Sequence, residues 1–458
     1  MFEELGRKIN QHPDDLRLFA VVILHTLISP VFRFALSKRV FPSLGDRMAL
    51  MRESFAAGMM LCSAVYLYGL AKTVGLLFVL SAVYQFSFAC VTPKSAMVCS
   101  ILIFFGLMFM KLYSLFTDDI NDAVSIGHLC MMIVPKVTYF FWHIFYIQSG
   151  SEGPLQSKEV PQYMKDFEKE LMKKIPSRLD FLLFCFNFVG NLACPIYSYT
   201  DHKGFALEIH PREESVSRRV AVKLGLFFCA LSVVSLLGGV FSIEVANSLS
   251  FSQQNIFYKM FFFICEGTKF RAKYYNVFLL GEVMAIFCNL RASSTLYADY
   301  AISCKLLEIE TSLCVKQRIE NWNISIANWL RDCYFDKLTF YFHINKDVVS
   351  MIVFAISAFW HGLSISYYFV FVGVYILMMS ERIMFRNSFV RDHLMPKFFI
   401  RLALEFVVSF FYMNSISKIA HRAKMNPLFA ILPLTILAYA KGSVFLAKKL
   451  KLGEKKLK

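Results

Sequence analysis

From Val348 to Ser380 the chain carries no Lys, Arg, Asp or Glu. A helix over 348–379 would extend about 50 Å, whereas a bilayer core is about 30 Å thick and takes about 20 residues. The run therefore predicts either two elements or one steeply tilted helix, and Gly362 is the natural break point because it lacks a Cβ. Ten further apolar segments lie near residues 17–36, 55–72, 74–92, 97–116, 123–148, 179–199, 220–243, 275–291, 399–417 and 427–447. Such a succession predicts an all-α, polytopic transmembrane protein with about 11 spans. Charged residues make up 18% of the chain, against about 25% in a soluble domain. Polar connectors fall at 150–178, 200–222 and 292–347, and with neither internal repeat nor low-complexity segment we expect a single membrane-embedded domain over 1–458.

The net charge of +16 does not point to nucleic acid, which is not an expected partner. The basic residues cluster in short connectors beside apolar runs: Lys38, Arg39, Arg47 and Arg52; Arg212, Arg218, Arg219 and Lys223; Arg382, Arg386, Arg391 and Lys397. That is the distribution of cationic loops at a membrane surface, and no nucleic-acid-binding module accompanies it. The tail 448–458 ends in "KKLK". It reads either as a dilysine retrieval signal of the endoplasmic reticulum or as a generic positive-inside tail, and both place the C-terminus in the cytosol. The polar N-terminal stretch lacks the pattern of a cleaved signal peptide, so the first apolar span is expected to act as a signal-anchor. Twelve cysteines without a CxxC read as small buried hydrophobes; neither a disulfide framework nor a metal site is expected.

Within the uncharged run, "FAISAFWHGLSISYYF" (354–369) holds His361. Imidazole among Phe, Ile and Tyr costs free energy unless it is hydrogen-bonded, and an ionisable residue at membrane depth is a functional candidate by default. The bland alternative is a core histidine bonded to a backbone carbonyl. His25, His128 and His143, also in apolar settings, read as structural or interfacial. Upstream, "NWNISIANWLRDCYFDKL" (321–338) places Trp322, Ile326, Trp329 and Cys333 at spacings of 4, 3 and 4. That periodicity predicts one face of an interfacial helix with Trp anchors. It leaves Asn323 unexplained. Asn323-Ile324-Ser325 also fits a glycosylation sequon, which would require an exposed lumenal loop.

The pair "WN…WLR…Y" and "WHG", with His361 lying 38 residues after Asn323, resembles the signature of the membrane-bound O-acyltransferase superfamily. A third stretch, 178–205, resembles the "GP…Y.DY..F" segment of its lysophospholipid acyltransferase branch through Pro195, Tyr199, Asp201 and Phe205; Cys194 stands where that segment has Gly. The signature region covers about 175–375. The sterol and diacylglycerol branch motif FYxDWWN is absent, and an Asn at 323 followed by WLR is similar to the lysophospholipid enzymes. The resemblance implies that His361 and Asn323 are catalytic. It implies acyl-CoA as co-substrate with no tightly bound cofactor, a lysophospholipid acceptor, and residence in the endoplasmic reticulum membrane. Trp322, Trp329, Arg331, Tyr334 and Trp360, with Tyr367 and Tyr368 nearby, become candidate substrate-binding residues. Trp360, Tyr367 and Tyr368 either line an acyl tunnel or pack against neighbouring helices.

The chemistry fits those residue types. A hydroxyl attacking a thioester needs a base, the usual role of neutral imidazole, and an amide N–H can stabilise the developing oxyanion. No nucleophile motif surrounds His361, so direct transfer is favoured over an acyl-enzyme on, for example, Cys333. Two other readings stay open: acylation of a protein or of a glycosylphosphatidylinositol-type or glycerol lipid, and a transporter with His361 as a relay. A transporter would be expected to show internal repeats and several intramembrane charges.

Overall fold

The computed structural model describes residues 13–44, 46–117, 126–155, 159–212, 215–292, 301–386, 392–413 and 416–456. Leu457 and Lys458 of the KKLK tail, and Arg391 of the third basic cluster, lie outside them. Every regular element among the described residues is helical. The principal helices are α1 (Pro13–Ile28), α2 (Asp46–Tyr68), α3 (Leu70–Phe86), α4 (Pro93–Thr117), α5 (Ile126–Ser149), α6 (Arg178–Cys185), α7 (Tyr199–Ala206) and α8 (Val216–Leu237). They continue as α9 (Ile256–Cys288), α10 (Val315–Asn321), α11 (Ile324–Leu330), α12 (Lys346–His361), α13 (Ile365–Met384), α14 (Leu394–Val408) and α15 (Pro427–Lys456).

Six helices among the described residues are long and apolar enough to cross a membrane, and a seventh span results if the pair Ile416–Met425 and Pro427–Lys441, bent by 94°, counts as one. Four expected runs do not qualify: 97–116, which contributes only the shorter apolar stretch Pro93–Phe109, and three others. Residues 179–199 give only α6 before the backbone turns irregular; residues 275–291 are the end of α9, which also carries Glu266, Lys269 and Arg271; and residues 399–417 contain the 15-residue α14. The run 348–379 does split at Gly362, where α12 stops, φ reaches +136°, and α13 begins three residues later.

The described residues group into two compact units, each assembled from separated stretches. The first comprises Met1–Phe227, Asn276–Cys304 and Asn323–Lys346. Its centre is α5, whose most apolar window is 83% buried, against 11% for α8. Protein encloses α5, while α8 turns its side chains outward in the manner of a lipid-facing helix. Phe140 of α5 packs on Phe181 and Tyr199 at centroid distances of 4.7 and 5.3 Å. Lys136, fully buried one turn earlier, donates to the carbonyls of Asn187 and Val189 at 3.1 and 3.3 Å. Those carbonyls belong to the irregular stretch after α6, so the ammonium satisfies backbone that no helix could. Arg52 does the same for the carbonyl of Phe32 at 2.8 Å and lies over the Phe205 ring.

The second unit comprises Phe228–Tyr275, Lys305–Trp322 and Asp347–Lys458. Val370, Val374 and Leu377 of α13, Ala403, Leu404 and Val407 of α14, and Ile436 and Ala440 of α15 form one core cluster. Phe262, Phe263, Phe406 and Phe429 belong to another. Between these apolar contacts runs an ionic cluster. Glu405, 1% exposed, accepts from Arg271 at 2.5 Å and from Arg318 at 2.8 Å, and Arg271 also donates twice to Glu310 at 2.7 Å. Glu405→Ala is expected to leave two guanidinium groups short of a buried counter-charge, at a cost of about 3–5 kcal/mol. A detergent-solubilised variant should show a clearly lower thermal unfolding midpoint, whereas an exposed pair such as Arg382–Asp347 should be removable with almost no shift.

Candidate active site

His361 is the last residue of α12. Four aromatic rings surround it: Trp360 at 4.8 Å, Phe411 at 5.2 Å, Phe371 at 5.3 Å and Tyr367 at 5.7 Å between centroids. Tyr367 packs in turn on Phe411 at 4.8 Å. The helix stops here because the Gly362 N–H closes on the carbonyls of Ala358 and Phe359 with a φ that side chains rarely adopt. The histidine thus stands at a helix terminus with its ring walled by apolar faces, which lowers the local dielectric. Trp360 is 2% exposed, and Tyr367 and Tyr368 are half-buried.

Asn323 belongs to the other unit and is the N-cap of α11, with φ 46° and ψ 51°. Its carbonyl accepts from the N–H groups of Ile326 and Ala327 at 3.1 and 3.0 Å. Asn tolerates this left-handed conformation better than other side chains, so part of the reason for an amide here is the backbone itself. The side chain is oriented as well: the Cys194 thiol donates to Asn323 Oδ1 at 3.6 Å. Burial pushes that thiol up to about 12, so it is an S–H donor at neutral pH. With Oδ1 engaged, the Nδ2 hydrogens remain for another acceptor.

The residues behind Asn323 are held by α9. Glu282, 1% exposed, accepts from the N–H groups of Ser303 and Cys304 at 2.7 and 3.0 Å and pairs with Lys223 at 2.5 Å. Ser303 then accepts from Ile324 N–H at 2.8 Å. Gly281, beside Glu282, lies against the Cys194 carbonyl so closely that a Cβ would fall 1.6 Å from its oxygen. The departure from Gly at 194 in the sequence thus has a counterpart here: Cys194 is the donor to Asn323. Tyr199, Asp201 and Phe205 are buried, with Asp201 and Ser198 forming the capping box of α7.

The other candidates divide. Trp329 is 0% exposed, donates to Thr138 Oγ1 at 2.6 Å and meets Tyr334 edge-on at 5.7 Å. Together with buried Ile326 and Cys333 it confirms an apolar helix face, but protein covers that face, so Trp329 is no interfacial anchor. Trp322 precedes the helix and packs on Tyr274 and Tyr275. Arg331 is exposed at the end of α11.

The first unit also contains a cavity of ≈ 1090 Å³ that sequence spacing does not reveal. Its wall combines Tyr139–Tyr146 of α5 with 332–346, segments about 190 positions apart, and includes Trp142, His143, Asp332, Asp336, Lys337 and Tyr341. Among the described residues no group of three or more His, Cys, Asp or Glu could hold a metal ion.

A sequence model of the membrane-bound O-acyltransferase family matches residues 167–420, more than half of the chain and inclusive of Cys194, Asn323 and His361. The chain belongs to this family. Among similar proteins, a lysophospholipid acyltransferase of Schizosaccharomyces pombe is 23% identical over 295 residues, covering 60% of this chain and 54% of that protein. Lysophospholipid acyltransferase 6 of Drosophila melanogaster is 24% identical over 298 residues, covering 58% and 39%. The human membrane-bound glycerophospholipid O-acyltransferase 1 is 22% identical over 305 residues, covering 60% and 56%. The chain spans about half the length of the curated relatives it matches. Within this member of the membrane-bound O-acyltransferase family, Gly281→Ala is expected to force the Cys194 carbonyl away, costing about 1–3 kcal/mol as overpacking does. A drop in the thermal midpoint, absent from Gly225→Ala, where a Cβ meets nothing within 4 Å, would register it.

Proposed function

We propose that this protein transfers a fatty acyl chain from acyl-CoA to the free hydroxyl of a lysophospholipid, as a multi-pass protein of the endoplasmic reticulum membrane with a cytosolic C-terminus and with residues 1–458 acting as one catalytic domain. The observation that carries the reading is the family match over 167–420, which contains all three signature stretches in order. The similar lysophospholipid acyltransferases of S. pombe and D. melanogaster suggest the acceptor class.

In this reading neutral His361 accepts the proton of the lipid hydroxyl as its oxygen attacks the thioester carbonyl. The Asn323 amide N–H stabilises the oxyanion. Collapse of the tetrahedral intermediate breaks the C–S bond, the CoA thiolate takes the proton back from the imidazolium, and the ester is released. The aromatic rings around His361 support this role, because they keep water from competing for the thioester.

The test is a microsomal assay of wild type, His361→Ala and Asn323→Ala with labelled acyl-CoA and a panel of lysophospholipids. Loss of the base should lower turnover about 10²–10⁴-fold and loss of the amide donor about 10²–10³-fold, at unchanged protein level. Full activity in His361→Ala would remove the catalytic assignment. Transfer only to a protein or glycolipid would replace the acceptor class.

A further inference from the structure

A turn at 87–92 joins α3 to α4 in the first unit, and the segment 173–179 is stapled to it through Tyr84. The Tyr84 hydroxyl donates to the Pro176 carbonyl at 2.8 Å, its ring meets Phe88 at 5.5 Å, and the Arg178 guanidinium lies over it at 5.9 Å. The turn itself is fixed. The Cys90 and Cys99 thiols donate to the Phe86 carbonyl at 3.7 and 3.8 Å, and Thr92 Oγ1 accepts from the Ser95 N–H at 3.1 Å. A candidate span ends at Ala89, and an apolar stretch starts back from Pro93. The turn therefore stands where the chain leaves the hydrocarbon and re-enters it.

Two kinds of side chain point outward from this rim. Phe88, Val91, Ile175 and Leu179 are 47, 53, 36 and 55% exposed. Lys94, Lys174 and Arg178 are exposed as well, and Lys94 and Lys174 have neither hydrogen bond nor ion pair among the described residues. No Asp or Glu occurs from Gln85 to Phe116. The carboxylates that flank 173–179 are committed, Glu170 to Lys173 and Asp180 to Lys203 and the Ser177 N–H. Bulk water disfavours the apolar groups, and hydrocarbon disfavours the cations. A surface that offers both fits the boundary between headgroups and acyl chains.

The same end of the unit collects further basic connectors. Arg212 donates to the Arg33 carbonyl at 2.9 Å, and the Lys38 N–H donates to Glu208 at 2.7 Å. These bonds tie the α1–α2 connection, with exposed Arg39 and Arg47, to the loop before α8, with exposed Arg218 and Arg219. Lys203 bonds both Glu53 of α2 and Asp180 of α6, and so links this group to the 173–179 segment. Towards the other ends of α1, α3 and α4 stand Arg17, Lys72 and Lys111, and the sequence joining α4 to α5 adds Asp118, Asp119 and Asp122. That asymmetry turns the basic end to the cytosol, the side whose leaflet carries a negative surface potential.

We propose that this rim is a docking surface for anionic phospholipid, of the phosphatidylserine or phosphatidylinositol class, in the leaflet that faces the cytosol. Lys94, Lys174 and Arg178 meet the headgroup, while Phe88, Val91, Ile175 and Leu179 reach the glycerol level and the first methylenes. A zwitterionic head offers the same phosphate but carries its own ammonium, so the rim selects by net charge. This docking is separate from the reaction at His361 and does not depend on it.

Native mass spectrometry of the detergent-solubilised full chain, titrated with phosphatidylserine or with phosphatidylcholine of the same acyl chains, tests it. Phosphatidylserine should bind about fivefold more tightly for each cation engaged. Lys94→Gln with Lys174→Gln should bring the two lipids to parity, whereas Lys94→Arg with Lys174→Arg should keep the preference, as should Lys72→Gln at the opposite end. Equal binding of both lipids by the wild type overturns the proposal. So does a preference that survives the double Gln variant, or one lost equally in Lys72→Gln. Glycerophosphoserine, the headgroup without chains, should not compete at the lipid's own concentration; displacement there would make the rim a soluble-anion site and overturn lipid docking. For the leaflet, a glycosylation cassette inserted after Gly69 should be modified in microsomes and one inserted after Lys174 should stay bare. The reverse pattern overturns the cytosolic assignment.

Discussion

Buried glutamates that accept backbone N–H groups hold the polar connectors of this apolar protein in place. Water is scarce around such connectors, and an unpaired amide there has no substitute partner. In the first unit Glu282 pins Ser303 and Cys304, and Glu168 pins Leu155. In the second, Glu381 accepts from Val315 and Lys316 at 2.8 and 3.0 Å and so fixes the start of α10. Each carboxylate is at most 2% exposed. Within the second unit Glu381 thus holds the chain at residue 315, and within the first Glu282, through Ser303, holds it at residue 324. A family signature residue at the junction of two short helices can keep one orientation only because these bonds remove the freedom of the loop.

The two signature residues illustrate how backbone and chemistry share a position. Asn323 answers a local demand for a left-handed residue, and its amide is then free to be used because a thiol, not the backbone, occupies Oδ1. His361 sits where a glycine ends a helix, so its ring is offered at a terminus and not packed along a helix flank. In both cases the polar group stands at a break in regular structure. An apolar helix satisfies all its own backbone and has little room for a reactive side chain in its middle, whereas a break supplies both space and direction.

Much of the helical architecture was legible because apolar length is a strong signal, and the split at Gly362 followed from comparing run length with bilayer thickness. The same signal misread 179–199, since "LDFLLFCFNFVGNLACPIYSY" is as apolar as a span. What periodicity cannot show is that Lys136, brought in by another helix, satisfies the carbonyls of Asn187 and Val189 and lets the chain leave the helix there. Trp329 failed for a related reason: a helical stripe says that a face is covered, not by what. The motif residues Asn323 and His361 were visible from pattern, but Cys194 looked only like a deviation, and its role depends on Gly281, 87 positions later. The cavity was invisible because its walls are far apart in sequence and none of its residues is unusual alone.

Charge placement differs sharply between the two units. The base role proposed for His361 requires a ring-walled setting, since a nearby carboxylate would favour the protonated imidazole. The cavity of the first unit has the opposite character, with several full charges in one wall. The rings packed on His361 belong to Trp360, Tyr367, Phe371 and Phe411 of the second unit. The carboxylates and lysines of the cavity all belong to the first.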